Sequence, residues 1–116
     1  MAAFEDLDVW KRSCRMAVEL YQVLSECRDW GYKDQVTRSA LSIPSNIAEG
    51  YERNSRNEYS RFLKIAKGSC GELRTQLYIG SKAGLLDEDV AYPLITEAKE
   101  ISRMLQGLIS KLKIAE

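Results

Sequence analysis

Five polar residues in the segment 35–50 have the spacing and the chemistry to form a site. They recur every three or four residues, so a helix places them in one row, which we call the polar line. Apolar residues border the row on both sides, as in a helix that is mostly buried. Buried amide, guanidinium and carboxylate groups need hydrogen-bond partners, and these come from the chain, another subunit or a ligand. The members of the polar line are Gln35, Arg38, Ser42, Asn46 and Glu49.

Two interpretations of the polar line stay open. In the first it is a buried structural network, in which Arg38 pairs with Glu49 or Glu72 and orders the core without any ligand. In the second it is an interaction surface for another subunit or a ligand. The bordering apolar rows are Val36, Ala40, Ile43 and Ile47 on one side, and Leu41, Ala48 and Tyr51 on the other.

Pro44 lies in the middle of the same segment. A proline inside a helix removes one backbone hydrogen bond and crowds the preceding turn, at a cost of about 3 kcal/mol. We therefore expect this helix to be kinked near residues 40–44, with Asn46 capping the backbone carbonyl that Pro44 frees.

A second group of residues has chemistry suited to phosphate binding. Five cationic residues follow the polar line closely, and lysine and arginine in such a cluster can contact nucleic-acid phosphates. A solvated helix face is the commoner meaning of such a run, and the aromatic residues are not interleaved with these charges in the way that a base-stacking platform requires. The cluster consists of Arg53, Arg56, Arg61, Lys64 and Lys67.

Residue types argue against an enzyme. The chain has no histidine, the commonest general base and metal ligand, so carboxylate–histidine di-iron chemistry and a cysteine–histidine nucleophile are both excluded. No glycine-rich phosphate loop is present either. We predict no catalytic, metal or cofactor site. The three cysteines, Cys14, Cys27 and Cys70, have no C-x-x-C spacing and indicate reduced thiols in a cytoplasmic protein.

Chain length and net charge limit what the polar line and the basic cluster can do. The 116 residues predict one domain spanning 1–116, and 17 basic residues balance 17 acidic ones, so no net charge drives the chain onto nucleic acid or membrane. No apolar run approaches the roughly 20 residues of a membrane span, and the N-terminus lacks the features of a signal peptide. The surplus of positive charge is local, in residues 31–84.

Hydrophobic periodicity predicts four amphipathic helices, over about 6–26, 33–52, 56–83 and 87–113. Their short connections favour an all-α, antiparallel, up-down-up-down four-helix bundle. Gly31 and Gly84 are the predicted helix stops, and Ser55 with Glu58 has the spacing of a capping box. Gly68 and Gly71 are interpreted, with Gly80, as points of close helix approach.

Three segments together resemble a known family. They are Asp8-Val9-Trp10-Lys11, the run from Gln35 to Gly50 with its Ser-Ile-x-x-Asn-Ile-Ala-Glu-Gly core, and Phe62-Leu63-x-Ile65-Ala66-x-Gly68-Ser69-x-x-Glu72-Leu73-x-Thr75. They are similar to the four-helix-bundle proteins encoded in intervening sequences of bacterial 23S ribosomal RNA genes. The resemblance implies a small cytoplasmic bacterial bundle that assembles into a homopentamer and has no catalytic residue. It extends to the accessory proteins of diversity-generating retroelements, basic barrels that bind nucleic acid and a reverse transcriptase.

The functional expectation is a non-catalytic, oligomeric helical bundle that binds RNA or DNA weakly. Symmetry would add the basic clusters of several subunits into a ring, because multivalency raises affinity without new contacts. The alternative is a protein-interaction scaffold with no nucleic-acid role. Self-association is expected because seven aromatic residues lie on more helix faces than one core can use, with parts of the second and third helices at the interface. They are Trp10, Tyr21, Trp30, Tyr51, Tyr59, Tyr78 and Tyr92.

Overall fold

A computed structural model describes residues 2–114, with side chains for 2–113. A short 3₁₀ helix, Phe4–Asp6, precedes four α-helices, and no strand occurs within this range. The helices are α1 (Asp8–Val23), α2 (Trp30–Glu52), α3 (Arg56–Lys82) and α4 (Glu88–Ile114). The predicted all-α class and the four-helix bundle are confirmed. No helix in the described range is both long and apolar enough to cross a membrane.

The turn before α2 differs from the prediction. Gly31 was expected to end the first helix, but it lies in the first turn of α2. Asp29 is the reason, because its carboxylate accepts a hydrogen bond from the Tyr32 N–H at 3.0 Å and so caps the helix. The first helix ends earlier, at Val23. This prediction was therefore wrong, since a strong N-cap overrode the glycine.

The turns on either side of α3 follow the sequence more closely. Ser55 caps the helix by accepting from the Glu58 N–H at 3.3 Å, whereas the Glu58 side chain turns to Arg61 instead of completing the capping box. Gly84 has φ +79°, the left-handed conformation that glycine adopts at low cost, and it follows the end of α3 as predicted.

The order of contacts between helices gives their directions. Partner numbers rise along one helix and fall along the other, which is the pattern of antiparallel neighbours. For α2 and α3 the pairs are Tyr32–Gln76, Ser39–Glu72 and Ser42–Ser69. For α3 and α4 they are Lys67–Gln106 and Tyr78–Tyr92.

Aliphatic side chains from all four helices form one core. Fully burying each such side chain contributes roughly 1.5–3 kcal/mol. The seven aromatic residues named above were expected not to fit together in one core, and none of them is fully buried. The largest fully buried side chains include Leu20, Leu24, Ile43, Ile47, Leu63, Leu73, Leu77, Ile95, Ile101 and Leu105.

Close helix approach occurs at one of the three expected glycines, Gly80, and also at Gly50. A Cβ at Gly50 would lie 2.6 Å from the Cβ of Phe62, and one at Gly80 would overlap the Tyr32 ring. At Gly68 nothing lies within 4 Å, and at Gly71 the nearest group is the Arg74 side chain at 4.0 Å. The interpretation holds for Gly80 and is wrong for Gly68 and Gly71, which lie on an open surface.

The helix α2 runs as a single element from Trp30 to Glu52, with Pro44 inside it. Asn46 does bond to a backbone carbonyl, but to that of Ser42 at 2.7 Å rather than to the carbonyl of Ala40 that Pro44 frees. The second apolar row is not buried as expected, because Leu41 is 44% exposed. The kink near residues 40–44 stays a prediction.

Candidate functional site

The outer members of the polar line are exposed side chains. Gln35, Arg38 and Glu49 all face solvent. Arg38 pairs with Asp34 one turn earlier, at 2.8 Å, and not with Glu49 or Glu72. Because all of these groups keep their access to water, the predicted buried network with Arg38 at its centre is wrong.

The inner members of the polar line join α2 to α3. Ser42 Oγ and Ser69 Oγ share a hydrogen bond of 2.8 Å, and Asn46 Nδ2 donates to Ser42 Oγ at 2.9 Å. One turn away, the buried Ser39 hydroxyl donates to Glu72 Oε1 at 2.8 Å. Sequence reasoning did not predict the hydrogen bonds of Ser39 and Ser69, because their partners lie on another helix.

Two exposed aliphatic residues accompany these hydrogen bonds. Leu41 precedes Ser42 on α2, and Ile65 lies one turn before Ser69 on α3, whose hydroxyl donates to the Ile65 carbonyl at 3.2 Å. Their exposed fractions are 44% and 41%. We call this set, Leu41, Ser42, Asn46, Ile65 and Ser69, the α2–α3 surface.

The structure divides the predicted basic cluster into two groups. Arg53 and Arg61 bracket one carboxylate, that of Glu58, at 3.6 and 2.9 Å, and both guanidinium groups lie over the Phe62 ring. The hydrogen bond from Arg61 lowers the pKa of Glu58, so this carboxylate stays charged and offsets part of the arginine charge. Arg56 begins α3 and is exposed.

Lys64 and Lys67 lie on the side of α3 that is next to α4. With Lys113 they line a groove of about 630 Å³, which we call the lysine groove. Lys67 Nζ donates to Gln106 Oε1 at 2.7 Å, a neutral partner that leaves its charge uncompensated. Within the described part of the chain no carboxylate lies within ion-pair distance of these three ammonium groups. The groove is completed by Gly68, Gln106, Ile109 and Ser110.

The lysine groove is one end of a longer cationic surface. Lys67–Gln106 and Tyr78–Tyr92 fix where α3 and α4 meet, and helical spacing places further cations between these two contacts. We call this surface the basic face. It spans about 20–30 Å at 1.5 Å per residue. Its residues are Lys64, Lys67, Gly71, Arg74 and Tyr78 of α3, and Tyr92, Lys99, Arg103, Gln106, Ser110 and Lys113 of α4.

Charge on the basic face is of one sign. It contains six cations and no carboxylate, although the whole chain is neutral. Within the described residues, Arg103 is the one cation of this face with an ion pair; Glu100 lies 3.7 Å away, and the exposed fractions of the two side chains are 72% and 46%. Sequence reasoning found Lys64 and Lys67 but missed the α4 cations, because residues as far apart in the chain as Lys67 and Gln106, 39 positions, become neighbours only in the bundle.

Neither a reactive Cys70 thiol nor a grouped set of metal ligands is found among the described residues. Burial raises the pKa of Cys70 to about 12, so its thiol stays protonated and is a poor nucleophile. Among the described residues, no three histidine, cysteine or acidic side chains are grouped to hold a metal ion.

Comparison with known proteins connects these surfaces to a family. The family model described as 23S rRNA-intervening sequence protein matches residues 5–107, which include the polar line and the predicted basic cluster. The chain belongs to this family. Three residues of the lysine groove, Ile109, Ser110 and Lys113, lie beyond the residues matched to the 23S rRNA-intervening sequence proteins.

One solved structure has the same fold. It is the crystal structure of a protein with unknown function from the S23 ribosomal protein family of Bacteroides thetaiotaomicron. The TM-score is 0.82 at 23% sequence identity, over 87% of this chain and 97% of the other. A sequence comparison with curated proteins gives no match. At this sequence identity the similarity supports the four-helix bundle fold and carries no information about function.

Proposed function

We propose that this 23S rRNA-intervening sequence protein is a non-catalytic bundle that binds the phosphate backbone of RNA or DNA weakly. The observation that supports the proposal is the charge of the basic face, with six cations and no carboxylate in a chain of zero net charge. Phosphate contacts of this kind release counterions and need no base recognition. The free cysteines are consistent with the expected cytoplasmic location.

The proposed contact centres on the lysine groove. Lys64, Lys67 and Lys113 surround an opening lined by hydrogen-bonding side chains, which suits a phosphate with its several acceptor oxygens. Arg53 and Arg61, which sequence reasoning had grouped with Lys64 and Lys67, are largely occupied by Glu58. The proposed phosphate site therefore lies between α3 and α4, and not at the start of α3.

Assembly would strengthen such a weak contact. We propose a homo-oligomer, a homopentamer by the resemblance, in which several basic faces act on one nucleic acid. The α2–α3 surface supports self-association, since Leu41 and Ile65 are exposed next to polar groups that are only half-buried. Burial of such aliphatic groups contributes about 25 cal/mol per Å².

Light scattering tests the assembly. The chain has a mass of 13.2 kDa, and we expect a multiple of it at micromolar concentration. Leu41→Asp with Ile65→Asp should shift the mass toward the monomer. Val18→Asp is the matched control, because Val18 is 57% exposed but lies on α1. A wild-type protein that is monomeric would contradict this part of the proposal.

Nucleic-acid binding is tested with structured RNA and duplex DNA. The triple variant Lys64→Gln, Lys67→Gln, Lys113→Gln should lose most of its affinity, while Lys11→Gln, Arg28→Gln, Lys33→Gln removes as many charges away from the basic face. Wild-type affinity should fall steeply between about 50 and 200 mM salt. Absence of binding at low salt, or equal losses in both variants, would contradict the proposal.

A second candidate function is a protein-interaction scaffold. The α2–α3 surface favours it, because a surface of aliphatic and hydrogen-bonding groups can receive a partner protein as well as another copy of the chain. This function needs no phosphate contact. It would remain if the oligomer forms and no nucleic acid binds at low salt.

A further inference from the structure

Two tyrosines lie at the end of the basic face opposite the lysine groove. Tyr78 of α3 and Tyr92 of α4 meet edge to face, with ring centroids 6.0 Å apart and planes at 75°. The two side chains are 39% and 41% exposed, so the pair offers aromatic surface to solvent. The two tyrosines continue the rows of cations on their helices. Tyr78 lies about one helical turn after Arg74 on α3, and Tyr92 lies about two turns before Lys99 on α4.

Aromatic surface beside a row of cations distinguishes two kinds of nucleic acid. A duplex offers phosphates to the cations but keeps its bases paired and stacked inside. A single strand offers phosphates and also unstacked bases, each of which can stack on an aromatic ring for about 1–3 kcal/mol. The tyrosine pair has a use only for the single strand.

We propose that the basic face binds single-stranded nucleic acid, with phosphates along its cations and a base stacked on the Tyr78–Tyr92 pair. This inference rests on the proposed function and adds the class of ligand. The basic cluster in the sequence does not predict a preference for single strands. The two tyrosines lie outside that cluster, in the C-terminal half of α3 and at the start of α4.

The dimensions of the basic face suit a short strand. Its length of about 20–30 Å corresponds to about six to nine nucleotides at the 3.4 Å rise of a stacked strand. Gly71 lies in the middle of the α3 row with only the Arg74 side chain near it, at 4.0 Å. A missing side chain at this point lets a backbone approach the helix between Lys67 and Arg74.

The experiment compares an oligothymidylate of about 12 nucleotides, within the range of known single-strand site sizes, with a DNA duplex of equal length, both fluorescently labelled. We expect the wild-type protein to bind the single strand more tightly. The double variant Tyr78→Leu, Tyr92→Leu should weaken single-strand binding about tenfold or more, the loss expected for one stacked base, and leave duplex binding unchanged.

Two controls separate stacking from folding. Tyr78→Phe with Tyr92→Phe keeps the rings and should bind the single strand as the wild type does. Tyr21→Leu removes a ring that is 45% exposed on α1 and should also have no effect. Circular dichroism of each variant checks that the bundle is retained. If the Leu variant unfolds, the wild-type preference for the single strand over the duplex gives the answer.

The outcomes of this experiment distinguish the two proposals. If single strand and duplex bind alike and the Leu variant changes neither, the inference is wrong, and the proposed phosphate binding stands. If a loss of affinity appears equally in Tyr21→Leu or in the Phe variant, the inference is also wrong. If neither nucleic acid binds at low salt, the proposed function fails and the inference fails with it.

Discussion

The Tyr32 hydroxyl donates a hydrogen bond of 2.7 Å to the carbonyl of Gln76, and the Tyr32 ring lies directly over Gly80. This contact ties the first turn of α2 to the last turns of α3. Burial raises the pKa of Tyr32 to about 12, so the hydroxyl remains a donor throughout the physiological range. Only a residue without a side chain fits beneath the ring.

The first prediction concerns Gly80→Ala. Alanine favours a helix over glycine by about 1 kcal/mol, but here its Cβ would overlap Tyr32, and overpacking costs typically about 1–3 kcal/mol. We expect a lower free energy of unfolding in a urea titration. Gly68→Ala in the same helix is the matched control, because nothing lies within 4 Å, and it should be neutral or stabilising.

A double-mutant cycle identifies the cause of this loss. Tyr32→Ala removes the ring, so Gly80→Ala should cost less in that background, with a coupling energy of about 0.5–3 kcal/mol. Additive effects of the two substitutions would contradict the account of this contact.

The second prediction concerns the acid side of stability. Arg12 Nε donates to Glu97 Oε2 at 2.9 Å and joins α1 to α4. This hydrogen bond is the main reason that the pKa of Glu97 is lowered. A lowered folded-state pKa means that the stabilisation is present above the unfolded value, about 4.3, and is lost as the pH falls through the folded value.

Glu97→Gln should therefore reduce the free energy of unfolding by about 1 kcal/mol at neutral pH. The difference from wild type should vanish in acid, below the pKa of the folded state. Asp34→Asn breaks the pair with Arg38 and should leave the free energy of unfolding nearly unchanged, because both side chains are exposed to solvent. A Glu97→Gln deficit that does not change with pH would contradict the assignment.

The third prediction concerns thiol reactivity. Cys70 is buried, and burial raises its pKa to about 12, whereas Cys14 and Cys27 are half-buried. Because the thiolate is the reactive form, a maleimide should modify Cys27 and Cys14 well before Cys70 in the native protein. Mass spectrometry of peptides measures the order. In denaturant all three should react at similar rates, and early modification of Cys70 in the folded protein would show that its surroundings are open.

Hydrophobic periodicity was sufficient to predict the class of fold and most helix bounds. Each segment shows its own row of aliphatic residues, and this row faces the core whichever helices pack against it. It was insufficient for packing details. Nothing in the sequence distinguishes Gly80, which Tyr32 covers, from Gly68, which is open. The difference depends on the residue that the partner helix places opposite each glycine.

The candidate sites show the same limit. Arg38 was expected to reach Glu49 or Glu72, but the nearer Asp34 on its own helix competes successfully. The basic cluster is continuous in sequence, but its members have different partners in the structure. Arg61 forms an ion pair with Glu58, whereas Lys67 donates a hydrogen bond to Gln106 of α4. Tyr78 and Tyr92 are 14 residues apart and meet only through the turn between α3 and α4.

The most direct test of the account is the salt dependence of single-strand binding in two variants of the basic residues. We propose that the lysine groove contacts phosphates and that Arg53 and Arg61, which pair with Glu58, have a structural role. Each lost contact lowers the slope of log K against log salt by about 0.7 for a single strand. Lys64→Gln with Lys67→Gln should lower the slope by about 1.4, whereas Arg53→Gln with Arg61→Gln should leave it nearly unchanged. A larger change in the arginine variant, or no change in either, would contradict the account.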